Sequence, residues 1–423
     1  PFSFFSRIVW MFRGFNVMSH QLRNTTEEAC VLMNSVFLYS PRFNDFDISK
    51  DHPFKPYRTR MVYELCYRYG LLDQPGVRIV EPDFANEEDL LGFPTAEYVD
   101  MLKSANTGHH DFQMLHYGLG SRDNPIFKGV YDYSLLTVGS TMLGAKLIAS
   151  GEADIAFNMY GGLHHGKPAY AEGFCYVNDI ALAIKYLLGK GYERIVYVDI
   201  DAHHGNGVQD AFYDTDKVLY FSFHQSGDTI YPGTGFENEM GSGKGLGYTV
   251  NVPLPQCTDD DAYVRAFMNV YPPLVNAFKP QIVVALIGLD TLNRDPLTNL
   301  CCTNLGYSKV MKTIRESCPK LLALGGGGYS IPDVVRGWTI AWAVLNDLTP
   351  KDPYEGVISG AMYGHERPGD TLYDEPFHVS PQMKDSVDRF VDSKVDFVRK
   401  NIFPIHGVKP AIWGNHSSFY PAS

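Results

Sequence analysis

Asp201 and His203 lie two residues apart in "IVYVDIDAHHGNG", just past an apolar run. Alternate side chains of an extended segment share a face, so both can reach one ion. A third ligand must come from elsewhere, and Asp290 in "GLDTLNRDPL" stands at the end of another apolar run. Two carboxylates and an imidazole, with water in the fourth position, make a hydrolytic zinc site; Fe(II) or Co(II) suit the same donors. His164 and His165 are adjacent in "GGLHHGK", where Gly161, Gly162 and Gly166 let the loop bend. Two imidazoles beside a reacting water can divide acid and base work. Tyr329 closes "GGGGY", and a phenol there can donate a hydrogen bond to a developing oxyanion. Alone, each feature has a plain reading: a capped strand end, a structural histidine pair, a packed tyrosine. Their joint occurrence at the ends of apolar runs points to one site.

Those runs are short and rich in β-branched residues: 36–40, 154–160, 194–200, 218–223, 281–288 and 320–325. Unbroken hydrophobicity of this kind predicts a parallel sheet covered on both faces. Helical spacing of apolar residues appears at 135–150, 178–190, 260–278 and 334–348, and an amphipathic helix at 380–403. Alternating strand and helix gives the α/β class, in which ligands bind beyond the carboxyl ends of the strands. Irregular stretches at 104–132 and 224–247 read as loops on the rim of the site. Residues 1–34, aromatic with Arg7 and Arg13, read as an extension suited to a dimer or tetramer contact.

The 423 residues are 45% hydrophobic and 20% charged with a formal net charge of −12, which excludes general nucleic-acid binding. No run approaches the roughly 20 apolar residues of a membrane span. Seven cysteines, at 30, 66, 175, 257, 301, 302 and 318, are scattered and form no C-x-x-C pair, as reduced thiols of a cytoplasmic protein would be.

"HPFKPYR" (52–58), "DNPIF" (123–127), "GGLHHGKPAYAEGFCYVND" (161–179), "VDIDAHHGNGVQDAF" (198–212), "YPGTG" (231–235) and "LGGGGY" (324–329) together resemble the zinc-dependent histone deacetylase family. They are most similar to its bacterial acetoin-utilisation-like branch. The resemblance implies a single-domain arginase/deacetylase α/β fold, with a central, mostly parallel sheet and helices on both faces. It places the catalytic domain at 35–375; the C-terminal helix and tail, 376–423, are expected to pack on that same domain. Asp201, His203 and Asp290 would then be the zinc ligands, His164 and His165 the tandem catalytic pair, and Tyr329 the oxyanion donor. Asp199 would hold His164, and Asn206 would orient His165. Gly173, Phe174, Tyr231 and Leu297 would line an acyl-lysine tunnel, with Asp123 at its rim. One potassium site would use Asp199, Asp201, His203, Ser222 and Phe223, and a second Phe212, Thr215, Val218 and Tyr248. The implied reaction is hydrolysis of N-ε-acyl-lysine amides in proteins or peptides, open to hydroxamate-type inhibitors, in a bacterial cytoplasm.

Departures accompany the likeness. Asn206 stands where many members carry Asp, leaving His165 without a charged partner. Leu289, Asn293 and Arg294 alter the segment around Asp290, and Tyr231 replaces a frequent Phe. Lys55 alone, with Pro296 in place of a basic residue, does not make an inositol phosphate site. The rival readings are an arginase-like dimanganese hydrolase, an amidohydrolase of acetylated polyamines, and an inactive acyl-lysine-binding scaffold. Gly205 removes a second-metal carboxylate from the first, Leu297 the acidic gatekeeper from the second, and the complete residue set argues against the third.

Overall fold

The computed structural model describes residues 33–350 and 372–409; the N-terminal extension through residue 32 and the tail from 410 lie outside the described residues. Eight strands form one sheet, β1 (Ser35–Leu38), β2 (Val77–Val80), β3 (Ile155–Asn158), β4 (Ile195–Asp199), β5 (Val218–Gln225), β6 (Thr249–Leu254), β7 (Ile282–Leu286) and β8 (Leu321–Leu324). Their order is β2-β1-β3-β8-β7-β4-β5-β6, and every pairing is parallel. The period of two along each strand feeds two separate cores. Val196 and Val198 of β4 join one, Ile195 and Tyr197 the other.

The first core is capped by α1 (Arg58–Arg68), α6 (Asp260–Phe278), α7 (Asn304–Ser317), α8 (Ile331–Leu345) and α9 (Pro381–Asn401). The second is capped by α2 (Ala96–Ala105), α3 (Val130–Ser150) and α4 (Asp179–Gly189). A short α5 (Asn206–Ala211) follows β4. Helix α9 packs against α6 and β6, burying Val387, Val391, Val395 and Val398 and pairing Asp388 with Arg265 at 2.8 Å.

All six strands expected from apolar runs are present. The two missed, β2 and β6, are the sheet edges. The order matters for function because β3, β8, β7 and β4 are consecutive neighbours. The four segments bearing the chemical residues therefore leave the sheet side by side. Among the described residues no helix is long and apolar enough to cross a membrane.

Candidate active site

Beyond β4 and β7, ligand atoms of Asp201, His203 and Asp290 lie within 4.8 Å of one another. Backbone amides fix one oxygen of each carboxylate: Gly327 N–H donates to Asp201 Oδ2 at 2.7 Å, and Ala202 N–H to Asp290 Oδ1 at 2.7 Å. The second oxygens converge on His203 Nδ1, at 3.3 Å from Asp201 Oδ1 and 2.8 Å from Asp290 Oδ2. Both carboxylates are buried, and burying two like charges this close demands a cation between them. An O,N,O donor set prepositioned by backbone amides fits a divalent metal. The glycine run allows the approach: a Cβ on Gly327 would stand 2.3 Å from Asp290 Oδ2. Beneath it the buried guanidinium of Arg58 donates to the carbonyls of Gly326 and Gly328 and lies over the rings of Phe54 and Trp338.

The loop after β3 hangs from Asp179 at the start of α4, which accepts from the amides of Gly162 at 3.0 Å and Leu163 at 2.8 Å. This presents His164 and His165 with ring centroids 4.0 Å apart. Their partners differ in charge. His164 Nδ1 meets Asp199 Oδ2 at 2.8 Å, whereas His165 Nδ1 meets Asn206 Oδ1 at 2.8 Å. Burial disfavours the imidazolium of each. At His164 the carboxylates of Asp199 and Asp201 outweigh it, and the pKa is raised. At His165 burial, reinforced by His164 and His203, prevails over the neutral amide, and the pKa falls well below 6.5. One histidine of the pair is set to carry charge and the other to stay neutral.

Tyr329 is suspended by its amide, which donates to Asp295 Oδ2 at 2.7 Å; the other oxygen of Asp295 accepts from Leu297 N–H at 2.9 Å. Burial, then Asp290 and Asp201, push the Tyr329 phenol well above 10, so it is a proton donor at neutral pH. The ring of Phe174 meets Tyr329 edge-on at 5.7 Å and His52 at 4.6 Å, and the ring of Tyr231 meets His165 at 5.1 Å. Leu297 and Tyr231 are partly exposed, at 38% and 41%. Asp123 is exposed, and His52 Nε2 donates to its carbonyl at 3.1 Å.

Gly173 and Phe174 occupy positive φ, 56° and 68°, between paired Glu172 and Cys175, the backbone signature of a type I′ turn. A Cβ on Gly173 would lie 2.3 Å from Cδ2 of His165. Gly173→Ala is therefore expected to push the imidazole aside, lowering kcat by about 10–100-fold and stability by about 1–3 kcal/mol. Steady-state kinetics and a thermal melt on the same preparation check both.

The structure thus brings together His164, His165, Asp199, Asp201, His203, Asn206, Asp290 and Tyr329. Ser222 is opposite Asp199 in the β4–β5 register, with Phe223 next to it. Phe212, Thr215, Val218 and Tyr248 cluster around the start of β5, where Thr215 N–H donates to the Phe212 carbonyl at 3.4 Å and Tyr220 N–H to that of Tyr248 at 2.9 Å. His204 turns away, onto Thr234 at 2.8 Å and Gln209 at 2.9 Å. Arg294 faces away from the site as well, pairing with Asp333 of α8 and, at 3.6 Å, with Asp374. No spacing along the chain marks a role for Arg58, Glu172, Asp179 or Asp295, although all four fall within the segments quoted above. Residues 66, 175, 257, 301, 302 and 318 are free cysteines, and Cys30 lies outside the described residues.

Residues 52–345 match the histone deacetylase domain model. The chain is 38% identical over 326 residues to the acetoin utilization protein AcuC of Bacillus subtilis, covering 75% of this chain and 84% of that protein. It is 38% identical over 330 residues to human histone deacetylase 1, covering 77% of this chain and 66% of that longer protein. A crystal structure of an HDAC homolog complexed with SAHA superposes with a TM-score of 0.75 at 30% identity, over 86% of this chain and 99% of that one.

Proposed function

The chain belongs to the histone deacetylase family, and from that premise we propose that it is a zinc-dependent hydrolase of N-ε-acyl-lysine amides in proteins or peptides. The observation that carries this reading is the pairing of three convergent metal donors with a neutral, buried His165 beside them. Asp201, His203 and Asp290 would hold the zinc, which supplies Lewis acidity toward the amide carbonyl and acidifies water. His165, neutral, accepts the proton of the attacking water through Nε2. Tyr329 donates its phenol proton to a hydrogen bond with the developing oxyanion. His164, held charged by Asp199, stabilises negative charge nearby, and the imidazolium formed on the pair returns a proton to the departing lysine amine. The rings of Phe174 and Tyr231 flank the aliphatic stem, and Asp123 at the rim accepts hydrogen bonds from the substrate backbone.

The same proposal includes a cytoplasmic location and two potassium ions, one held by oxygens of Asp199, Asp201, His203, Ser222 and Phe223 and one by those of Phe212, Thr215, Val218 and Tyr248. It also includes binding of hydroxamates, a reading supported by the homologue solved with SAHA. An apolar Leu297 at the mouth favours peptidyl substrates over acetylated polyamines, whose distal ammonium wants a carboxylate there.

A panel of acetyl-, propionyl- and lactoyl-lysine peptides, with acetylspermidine alongside, tests the reading. Release of the carboxylate from at least one peptide, lost on chelation and regained with zinc, is expected. Faster turnover of acetylspermidine than of every peptide would overturn the substrate class, and activity indifferent to chelation would overturn the chemistry.

A further inference from the structure

Asn206 presents Oδ1 to His165 and Nδ2 to a third residue, Glu172, whose Oε1 lies 2.9 Å away. A carboxylate only accepts, so Glu172 compels the amide to offer its N–H₂ outward and its oxygen inward. An oxygen facing Nδ1 compels His165 to carry its proton there, which leaves the Nε2 lone pair free. Reversed, the amide would donate to Nδ1 and put the imidazole proton on Nε2, a tautomer unable to accept from water. Glu172 is itself tied down. It precedes Gly173 and Phe174 on the tight turn, Lys167 Nζ approaches it at 3.7 Å while meeting Asp210 at 2.5 Å, and the hydroxyl of Tyr231 donates to it.

We propose that Glu172 is a positioning residue that sets the tautomer of His165 through Asn206, moving one hydrogen bond outward the negative charge that relatives with Asp at position 206 hold against the imidazole. The extra hydroxyl of Tyr231 belongs to the same arrangement, since it joins a tunnel wall to the carboxylate that orients the base. This rests on the reading of His165 as general base, and it adds a carboxylate that reaches His165 through one bridging amide.

Glu172→Gln preserves shape and removes direction. The single remaining oxygen is contested between Tyr231 and the pair Asn206 and Lys167, which meet the same Oε1, so the new amide populates both orientations and Asn206 reverses in part. In the Glu172→Gln/Asn206→Asp pair both oxygens at 206 accept, and the original tautomer is enforced again. The full-length chain, loaded with zinc and labelled with ¹⁵N-histidine, reports the tautomer directly, with His165 assigned by subtraction of a His165→Gln spectrum. Expected are a single Nδ1–H form in the parent, both forms in Glu172→Gln with a roughly 10-fold lower kcat at unchanged KM, and a single Nδ1–H form with recovered kcat in the pair. An unchanged tautomer in Glu172→Gln, or no recovery of it in the pair, overturns the proposal. Mixed tautomers with kcat unaltered leave the orientation standing and overturn the assignment of His165 as base.

Discussion

Asp290→Asn is expected to reduce turnover by at least about 10³-fold, because on the proposed reading it removes one of three ligands of the ion that acidifies the attacking water. Loss of activity alone would not separate this from misfolding, so the discriminating measurement is the thermal shift. Zinc should raise the melting temperature of the parent by several degrees and leave Asp290→Asn where it was. The pH dependence of that shift follows from the metal-free site. Burial, with Asp201 beside it, pushes the Asp290 carboxyl up to about 7. Burial opposes the charge on His203, but Asp201 and Asp290 outweigh it and lift the imidazole to about 10. Both folded-state values lie above the unfolded ones. Each group therefore contributes stability that is complete below its unfolded pKa and is lost as pH rises through about 7 for Asp290 and about 10 for His203. The metal-free protein loses the Asp290 contribution progressively between pH 3.8 and about 7 and the His203 contribution between pH 6.5 and about 10, and zinc has fewer protons to displace as pH rises across that window. The zinc-induced shift should grow with pH across that window, and a shift that shrinks or stays flat would contradict the ligand assignment.

His165→Ala carries the second large effect, a fall in kcat of about 10²–10⁴-fold with little change in KM, since as the proposed base the imidazole would act on the attacking water and not on substrate binding. The companion measurement is the acidic limb of the pH–rate profile. The pKa of His165 lies well below 6.5 because it is buried and faces His164 and His203. Lowering the pH through that value protonates the base and stops it from accepting, so the limb should fall below pH 6.5 in the parent and vanish in His165→Ala. A limb centred above 6.5 would assign the titration to another group.

Much of this architecture is visible in the chain before it folds. Strands buried on both faces must be apolar throughout, so β1, β3, β4, β5, β7 and β8 stand out as unbroken runs. Strand β2, "VRIV", is an edge with two exposed positions, and β6, "TVNVPL", carries Asn251 and Pro253; neither has that signature. Helix α1 carries four charged residues in "RTRMVYELCYR", one of them the buried Arg58, and so hides its apolar stripe. The metal donors are legible because D-x-H has a local geometric meaning. Asp290 is legible because it follows a second strand. Glu172, Asp179, Asp295 and Arg58 leave no such trace. Each works by meeting backbone or amide groups from a distant segment, Arg58 across 268 residues to Gly326, and no spacing along the chain encodes such a meeting.

Asp295 supports both Leu297, the proposed mouth residue, and Tyr329, the proposed oxyanion donor, through one carboxyl group. If those roles hold, entrance and oxyanion donor hang on a common peg. An engineer who recarves residues 293–298 to admit bulkier acyl chains will retune reaction speed in the same stroke, and selectivity and velocity should drift together through any library built there.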